Sequence, residues 1–274
     1  MFENILENVR EKIPIIHTIT NYVTVNDCAN IILAAGGSPT MSDSIHEVED
    51  ITSISNALVI NIGTLNEELV QSMIKAGKKA NKLGHPVVLD PVGVGASAFR
   101  TKFIFELLKE VNFSVIRGNI SEIKTIYKGR GTTKGVDADD KDAVSDDNID
   151  EVLAYIKDLS KKTGAIIAVT GAIDIVASSE KAYIIRNGHP LMTKVTGTGC
   201  MLTTVIGSFC GGNKENILEA TAAAVSAMGL CGELAYNKLE KVGGGTSTYR
   251  TYIIDFMSNI NSEILNGGAK VEIR

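Results

Sequence analysis

The 274-residue sequence has no tryptophan, only 5% aromatic residues and no excess of cationic residues. Its 27 Lys and Arg residues face 32 Asp and Glu residues, so the formal net charge is −5. Because binding to a phosphate backbone needs clustered Lys and Arg, this balance argues against nucleic acid as the main partner. Hydrophobic residues reach 44%, which is too many for a disordered chain and ordinary for a compact protein.

The sequence also has few cysteines and no paired cysteine motif. Cys28, Cys200, Cys210 and Cys231 are scattered, without the C-x-x-C or Cys/His spacing of a zinc site. Scattered cysteines in a chain of this length favour a reducing compartment over a disulfide framework. The N-terminal residues mix acids into apolar positions, unlike a signal peptide, and the apolar stretch 220–232 is shorter than the ~20 residues that span a bilayer. We therefore expect a cytoplasmic protein that does not bind a membrane.

Short apolar runs alternate with helix-like segments through the first part of the chain. Four of these runs have the length and apolar content of buried strands: residues 14–17, 57–62, 86–90 and 114–117. Their alternation with amphipathic segments predicts a parallel sheet with helices on both faces. Three more strand-like runs are joined by short Gly or Ser turns: residues 165–170, 174–177 and 181–186. These turns predict an antiparallel meander at the end of the sheet, and the chain beyond Thr198 is expected to be helical almost to its end.

The pattern indicates one domain. Thr24 and Asp27 have the spacing of a capping box ahead of a helix that ends at Gly36. The charged segment 128–147 is the one plausible linker, but elements of the same predicted sheet lie on both sides of it. We therefore interpret it as a surface loop and expect residues 1–274 to form a single domain.

A glycine-rich segment precedes the long helical region. Residues Thr196 to Cys200 read Thr-Gly-Thr-Gly-Cys, with small residues where a helix is expected to begin. Small residues let a ligand approach the backbone, and the free N–H groups of the first turn, together with the helix dipole, favour an anion. Such a site suits a phosphoryl group that passes between two oxygens. The alternative interpretation is an ordinary glycine-rich turn with Thr198 as the helix N-cap.

Polar residues at the ends of other strand-like runs are further candidates. Asn119 and Glu122 have capping-box spacing, a sufficient structural reason for both, while a carboxylate here would also suit the ordering of a Mg²⁺-bound water near nucleotide phosphates. Asp90 ends a predicted parallel strand, where ligands bind in such sheets. Gly93 and Gly95 match the loose dinucleotide-binding pattern, but no acidic residue ends a second strand about 20 positions later.

Two segments near the N-terminal end carry further candidates. Residues 17–22 follow the first strand-like run and read as a hydrogen-bonded turn into a helix. Residues 37–41 read as a turn that ends at Met41. Methionine usually fills a core, but it also suits the wall of an apolar ligand ring.

Taken in order, these segments resemble the hydroxyethylthiazole kinases, thiamine-salvage members of the ribokinase-like superfamily. The resemblance rests on eight motifs: His17-Thr-Ile-Thr-Asn-Tyr-Val23, Gly37-Ser-Pro-Thr-Met41, Leu58-Val-Ile-Asn-Ile-Gly-Thr-Leu65, Val88-Leu-Asp-Pro-Val-Gly93, Ile116-Arg-Gly-Asn-Ile-Ser-Glu122, Lys134-Gly-Val-Asp137, Val169-Thr-Gly171 and Lys194-Val-Thr-Gly-Thr-Gly-Cys-Met-Leu-Thr203. One such motif is weak evidence, whereas eight in the same order are specific. The resemblance implies a three-layer α/β/α ribokinase-like fold, with a mostly parallel central sheet and an antiparallel edge meander.

The resemblance also implies an activity, partners and roles for residues. It implies transfer of the γ-phosphate of ATP to the hydroxyl of 4-methyl-5-(2-hydroxyethyl)thiazole with Mg²⁺, and a homotrimer with active sites between neighbouring subunits. The implied site residues are Met41, Gly197 and Asn21 for the thiazole alcohol, Arg117 and Thr170 for ATP, Asp90 and Glu122 for the metal, and Gly197, Thr198, Gly199 and Cys200 for a catalytic anion hole.

The role of Cys200 stays open at this level. Many ribokinase-like enzymes have Asp at the corresponding position as the base for the attacking hydroxyl, whereas a thiol accepts hydrogen bonds poorly until it is ionised. A helix N-terminus lowers the pKa of a thiol. We expect Cys200 to orient the hydroxyl and to assist its deprotonation only weakly.

Three other functions fit parts of the pattern. The first is a kinase of a related alcohol such as hydroxymethylpyrimidine, which an assay of both alcohols with ATP separates. The second is a nicotinamide-dependent dehydrogenase built around Gly93 and Gly95, which would bind NAD and transfer no phosphate. The third is a binding protein without catalytic activity, which would yield no product.

Overall fold

The computed structural model of the chain describes residue 2, residues 4–129 and residues 143–274. The strands are β1 Ile15–Ile19, β2 Ser38–Met41, β3 Ala57–Asn61, β4 Val87–Asp90, β5 Val115–Asn119, β6 Ile166–Thr170, β7 Asp174–Ala177, β8 Ala182–Ile185 and β9 Val271–Ile273. The helices are α1 Ile5–Lys12, α2 Val25–Ala35, α3 Val48–Ile54, α4 Glu67–Leu83, α5 Ala98–Glu110, α6 Ile120–Lys128, α7 Ile149–Thr163, α8 Thr198–Gly212, α9 Ile217–Val242, α10 Thr246–Asn259 and α11 Ser262–Gly268. The motif at residues 134–137 and most of the predicted loop 128–147 lie outside the described residues.

All of these strands belong to one sheet in the order β2-β1-β3-β4-β5-β6-β7-β8-β9. The pairs from β2 to β6 are parallel, and the pairs from β6 to β9 are antiparallel. The predicted parallel sheet with an antiparallel edge meander is therefore confirmed. Its parallel strands are joined through helices, as parallel pairing requires.

Alternate residues of the central strands feed two separate hydrophobic cores. In β3, Ala57 and Val59 pack with α1, α2 and α8 to α11, while Leu58 and Ile60 pack with α3 to α7 on the other face. This follows from the two-residue period of a strand, since successive side chains point to opposite faces. The result is three layers, helix on sheet on helix.

Two local predictions were wrong, and one strand was not predicted. Thr24 precedes α2, but its side chain does not cap that helix; its hydroxyl donates to Asn21 Oδ1 at 3.1 Å instead. Residues 38–41 form the edge strand β2 rather than a turn, in a position where a proline is tolerated. The C-terminal strand β9 pairs with β8 and was not expected, because its three residues are too few to give a pattern.

Helix α9 is longer than the apolar stretch suggested. By length and composition it could cross a membrane, but 72% of its apolar window is buried inside the protein. Burial on this scale is typical of the core helix of a folded protein.

Candidate active site

The carboxyl ends of the parallel strands bring polar residues together at one edge of the sheet. β3 ends at Asn61 and β4 at Asp90, and these two residues are direct partners in the register of the strands. Arg117 lies in the neighbouring β5, and Thr170 ends β6. Asn21 follows β1. Because the chain leaves every parallel strand at the same edge, side chains from distant segments meet there.

Helix α8 begins at the same edge, with a first turn that no side chain caps among the described residues. Its N-cap residue is Gly197, whose φ of 86° lies in the left-handed region that favours glycine. The first N–H groups of the helix are therefore available to an anion. Thr198 is the first helical residue, and its hydroxyl donates to the carbonyl oxygen of Met192 at 3.4 Å. The alternative interpretation of Thr198 as an N-cap is wrong.

The guanidinium of Arg117 lies against this first turn of α8. It donates from Nη2 to Thr170 Oγ1 at 2.6 Å and from Nη1 to Asp90 Oδ2 at 3.4 Å. A Cβ at Gly199 would lie 2.6 Å from Arg117 Nη1, so any larger residue would displace the guanidinium from this position. The cation and the uncapped helix N-terminus share one small space, which suits a phosphoryl or phosphate group. The two predicted ATP residues are thus hydrogen-bonded to each other.

Asp90 is fully buried at the centre of the site. Its Oδ2 accepts hydrogen bonds from Asn61 Nδ2 and from Thr203 Oγ1, each at 2.8 Å, while its Oδ1 is buried without a partner among the described residues. Burial raises the pKa of this carboxyl, and the charge of Arg117 and these hydrogen bonds oppose that rise. The orphaned oxygen marks a place where a further donor or a cation would be favourable.

Glu122 is held by two backbone N–H groups, one in the loop after β4 and one at the end of β5. Oε1 accepts from Gly93 N and Oε2 from Asn119 N, both at 2.8 Å, and Asn119 Oδ1 accepts from Glu122 N, which completes the predicted capping box. Burial, and then the nearby charge of Asp90, raise the pKa of Glu122 to about 7. The carboxylate ties the loop after β4 to the start of α6.

The same contacts argue against a dinucleotide site. Gly93 N donates to Glu122, and Gly95 N donates to Thr101 Oγ1 at 3.0 Å. The dinucleotide pattern needs glycines that let a pyrophosphate reach the backbone and the start of the helix. Here two amides of that loop are already bonded within the protein, so we set the dehydrogenase hypothesis aside.

The two carboxylates of the site suit a hydrated magnesium ion better than a metal whose ligands all come from protein side chains. Among the described residues there is no cluster of three or more His, Cys, Asp or Glu side chains that could hold a metal. Mg²⁺ usually keeps several waters and binds through one or two carboxylates plus the phosphates of its substrate. Asp90, with its orphaned oxygen, and the nearby carboxylate of Glu122, whose pKa is raised by burial and then by the charge of Asp90, fit that description.

The sulfur of Cys200 lies between two amide side chains. Asn21 Nδ2 and Asn61 Nδ2 each donate to Cys200 Sγ at 3.3 Å. Burial, and then the charge of Asp90, raise the pKa of the thiol, although hydrogen bonds from Thr24, Asn21 and Asn61 act in the opposite direction. The expected lowering of this pKa by the helix N-terminus is therefore outweighed. A neutral thiol suits orientation of a hydroxyl better than removal of its proton.

Of the residues predicted to bind the acceptor alcohol, Asn21 and Gly197 lie close to this sulfur. Asn21 contacts Cys200 directly, and its Oδ1 accepts from Thr24 N and Thr24 Oγ1, each at 3.1 Å. A Cβ at Gly197 would overlap the methyl group of Thr24, so the helix start packs tightly on this turn. Met41 is half-buried at the end of β2, where it pairs in register with Thr18 of β1. Asn21 and Gly197 are thus joined through Thr24, while Met41 lies at the end of the neighbouring edge strand.

Sequence reasoning assigned no role to Asn61, Thr203 or Arg100. Asn61 and Thr203 both bind Asp90 Oδ2, and Arg100 donates to the carbonyl oxygens of Val92 and Gly63, which joins two loops at this edge. The signal for Asn61 was its place at the end of an otherwise apolar strand, equivalent to that of Asp90. Thr203 and Arg100 lie within helices and had no such signal.

Comparison with known proteins points to one family. The model of the hydroxyethylthiazole kinase family matches residues 6–263. A hydroxyethylthiazole kinase from Clostridium acetobutylicum is 60% identical over 272 residues, which cover 99% of each chain. The solved structure of a hydroxyethylthiazole kinase from Pyrococcus horikoshii has a TM-score of 0.87 at 34% identity and covers 100% of this chain and 98% of its own. A ribokinase-like superfamily protein from Enterococcus faecalis, with a TM-score of 0.63, 12% identity and coverage of 93% and 88%, is similar in fold alone.

Proposed function

The chain belongs to the hydroxyethylthiazole kinase family, and we propose that it transfers the γ-phosphate of ATP to the hydroxyl of 4-methyl-5-(2-hydroxyethyl)thiazole, a step of thiamine biosynthesis and salvage. A kinase of this family takes a nucleotide and a small-molecule acceptor. Phosphoryl transfer requires little covalent chemistry from the protein, mainly in-line positioning and neutralisation of charge.

The placement of Arg117 against the first turn of α8 carries this proposal. The guanidinium and the uncapped N–H groups of residues 198–200 would bind the transferring phosphoryl group, with Gly197 and Gly199 leaving the backbone accessible. Thr170 would bind ATP together with Arg117, whose guanidinium it fixes by a 2.6 Å hydrogen bond. Fixed donors of this kind stabilise charge without reorganising during the reaction.

The acceptor alcohol would lie on the other side of Cys200. Met41 and Gly197 would contact the thiazole, with Asn21 near the ring: Met41 ends β2 at the carboxyl edge of the sheet, and Asn21 and Gly197 lie close to the sulfur. Cys200 would orient the hydroxyl, since its raised pKa keeps it a thiol at neutral pH. Its contribution is positioning in line with the phosphoryl group.

Magnesium is part of the proposed reaction. Asp90 and Glu122 would hold it through water, and when bound it would neutralise charge on the nucleotide phosphates. Within the protein, Asp90 also fixes Arg117 by an ion pair at 3.4 Å. The two carboxylates therefore serve the metal and the cation of the anion site together.

We also propose a homotrimer whose active sites lie between neighbouring subunits. Tyr22 and Val23, which directly follow Asn21, are 80% and 59% exposed. Large apolar side chains at the mouth of a site are typical of surfaces that a partner covers. Sedimentation of Tyr22→Asp should show a loss of trimer together with activity. A fully active monomeric variant would contradict this arrangement.

Two remaining proposals concern the whole chain. Residues 1–274 would form one domain, in keeping with the single sheet to which every described strand belongs. A cytoplasmic location would agree with the four free thiols, three of which are buried.

The reaction is tested by incubating the purified protein with ATP, Mg²⁺ and the thiazole alcohol. Mass spectrometry should show the phosphate ester, and ADP should form only when the alcohol is present. Hydroxymethylpyrimidine in place of the thiazole should give a much lower rate. Arg117→Gln should lose transfer, whereas Arg186→Gln, an exposed arginine paired with Asp146, is the matched control. If the protein phosphorylates hydroxymethylpyrimidine but leaves the thiazole alcohol unphosphorylated, the proposed acceptor is wrong.

A further inference from the structure

The amide of Asn61 has one orientation that satisfies its neighbours. Its Oδ1 accepts from the backbone N of Gly63 at 2.9 Å, and a backbone N–H can only donate. The nitrogen of the amide must therefore be on the opposite side, where Asp90 Oδ2 lies 2.8 Å away and Cys200 Sγ lies 3.3 Å away. Asn61 is 2% exposed, so no water competes for these bonds.

The same reasoning fixes Asn21. Its Oδ1 accepts from Thr24 N at 3.1 Å, so its Nδ2 points to Asn61 Oδ1 at 3.0 Å and to Cys200 Sγ at 3.3 Å. Each of the two amides thus uses one N–H on the sulfur. Asn61 uses its other N–H on Asp90, and among the described residues it is the one side chain that forms hydrogen bonds with both Asp90 and Cys200.

Two N–H donors on one sulfur leave little room for it to accept a proton or a further hydrogen bond. Sulfur is a weak acceptor, and the S–H of a neutral thiol must then point away from both amides. The two amides therefore restrict the direction of the S–H, beside the Thr24 hydroxyl as a further partner of the thiol. Asn61 differs from Asn21 because it also bonds to Asp90.

We propose that Asn61 is a positioning residue of the phosphoryl-transfer reaction, which holds the Cys200 thiol in one direction and couples it to the Asp90 carboxylate. The expected effect of Asn61 on turnover rests on the proposed function, whereas its expected effect on the Cys200 thiol does not. Breaking the link lowers turnover through Cys200 and Asp90 and leaves nucleotide binding by Arg117 and Thr170 largely intact.

Asn61→Asp tests this with little change of shape. The substitution removes both N–H donors and adds a carboxylate beside Asp90 and Cys200. We expect kcat to fall by about tenfold or more, while KM for ATP stays within about twofold. Alkylation of Cys200 by iodoacetamide at pH 8, without nucleotide or metal, should slow by about tenfold, because the thiolate loses a donor and gains a repulsive neighbour. The other three cysteines are buried, so Cys200 dominates the signal.

The matched control is Asn213→Asp, the same change at an equally buried amide. Asn213 follows the far end of α8, where its Nδ2 donates to the carbonyl oxygens of Ile5 and Phe209. It should lower thermal stability but leave the alkylation rate and the kcat of the folded enzyme unchanged. If Asn61→Asp does not fold, Asn61→Ser carries the test, with a smaller fall in both quantities because one hydroxyl donor remains.

The outcomes separate the inference from the proposed function. Slower alkylation with a fall in kcat supports the positioning role. Wild-type alkylation and kcat in Asn61→Asp overturn it, as do equal effects in the Asn213 control. A third outcome is that alkylation is slower in Asn61→Asp, but the wild-type protein does not phosphorylate the thiazole alcohol. This result supports the link between Asn61 and the thiol and contradicts only the proposed reaction.

Discussion

Glu122→Gln in the metal-free protein should change how stability depends on pH. The pKa of Glu122 is raised from 4.5 to about 7 in the folded protein, first by burial and then by Asp90. The fold therefore favours the protonated carboxyl. Its contribution to stability is complete below about pH 4.5 and is lost as the pH rises through 7. At 1.36 kcal/mol per pKa unit, the shift corresponds to about 3 kcal/mol between pH 4.5 and pH 8.

Glutamine cannot ionise, so the variant does not lose this stability as the pH rises. It also has a single acceptor oxygen, whereas Glu122 accepts from Gly93 N and Asn119 N, so one backbone N–H loses its partner at a cost of about 1–3 kcal/mol. We expect Glu122→Gln to be less stable than wild type at pH 5 and about equal at pH 8. Urea unfolding at several pH values in EDTA measures the difference.

The slope of that difference is the decisive quantity, because the missing hydrogen bond shifts the variant equally at every pH. Glu67→Gln, in the exposed first turn of α4, controls for the loss of one negative charge and should give a difference that stays within about 0.5 kcal/mol. A difference between Glu122→Gln and wild type that is flat from pH 5 to pH 8 would refute the reasoning. It would mean that Glu122 is ionised throughout this range.

Three further substitutions test the anion site. Gly199→Ala places a Cβ 2.6 Å from Arg117 Nη1 and should lower kcat/KM for ATP by at least about tenfold, with a small change in melting temperature. Unchanged kinetics would contradict the close contact between Gly199 and the Arg117 guanidinium. Gly197→Ala and Gly164→Ala both force alanine into a left-handed conformation, which should cost about 1–2 kcal/mol in urea unfolding at Gly164. Gly197→Ala should cost more, because its Cβ also overlaps the methyl group of Thr24, and of the two variants only Gly197→Ala should lose activity. Cys200→Ser keeps an acceptor and a donor and should retain turnover within about tenfold of wild type; complete loss with intact substrate binding would exclude a purely orienting role.

The sheet was predictable because buried parallel strands have a simple signature. The runs that become β3, β4 and β6 are apolar at nearly every position, since both faces are covered by helices. β2 and β9 were not predicted from the sequence, because neither has this continuous apolar pattern. β2 is a half-buried edge strand that contains a proline, and β9 has only three residues. The ribokinase-like fold and the family, inferred from the motifs, are confirmed.

The site was predictable only as far as each residue has a local reason to be there. Asp90 and Arg117 interrupt apolar strands, so their positions stood out, and the glycines before α8 marked a helix start. The protonation state of Cys200 could not be predicted from the local sequence, because it depends on burial and on Asp90, which is 110 residues away in the chain. The link through Asn61 likewise exists only once β1, β3 and β4 lie side by side.

Three charged groups give the site a negative imbalance in the free protein. With both carboxylates ionised, Asp90 and Glu122 outweigh Arg117 by one charge, and burial raises both carboxyl pKa values against the opposing charge of Arg117. A bound cation would reverse this cost, because it favours the ionised forms. Stabilisation by Mg²⁺ with a nucleotide should therefore grow as the pH rises from 5 to 8, since protons compete with the metal at low pH. In the proposed reaction, the features that destabilise the free site at neutral pH would therefore favour a ligand that carries both a metal and phosphates.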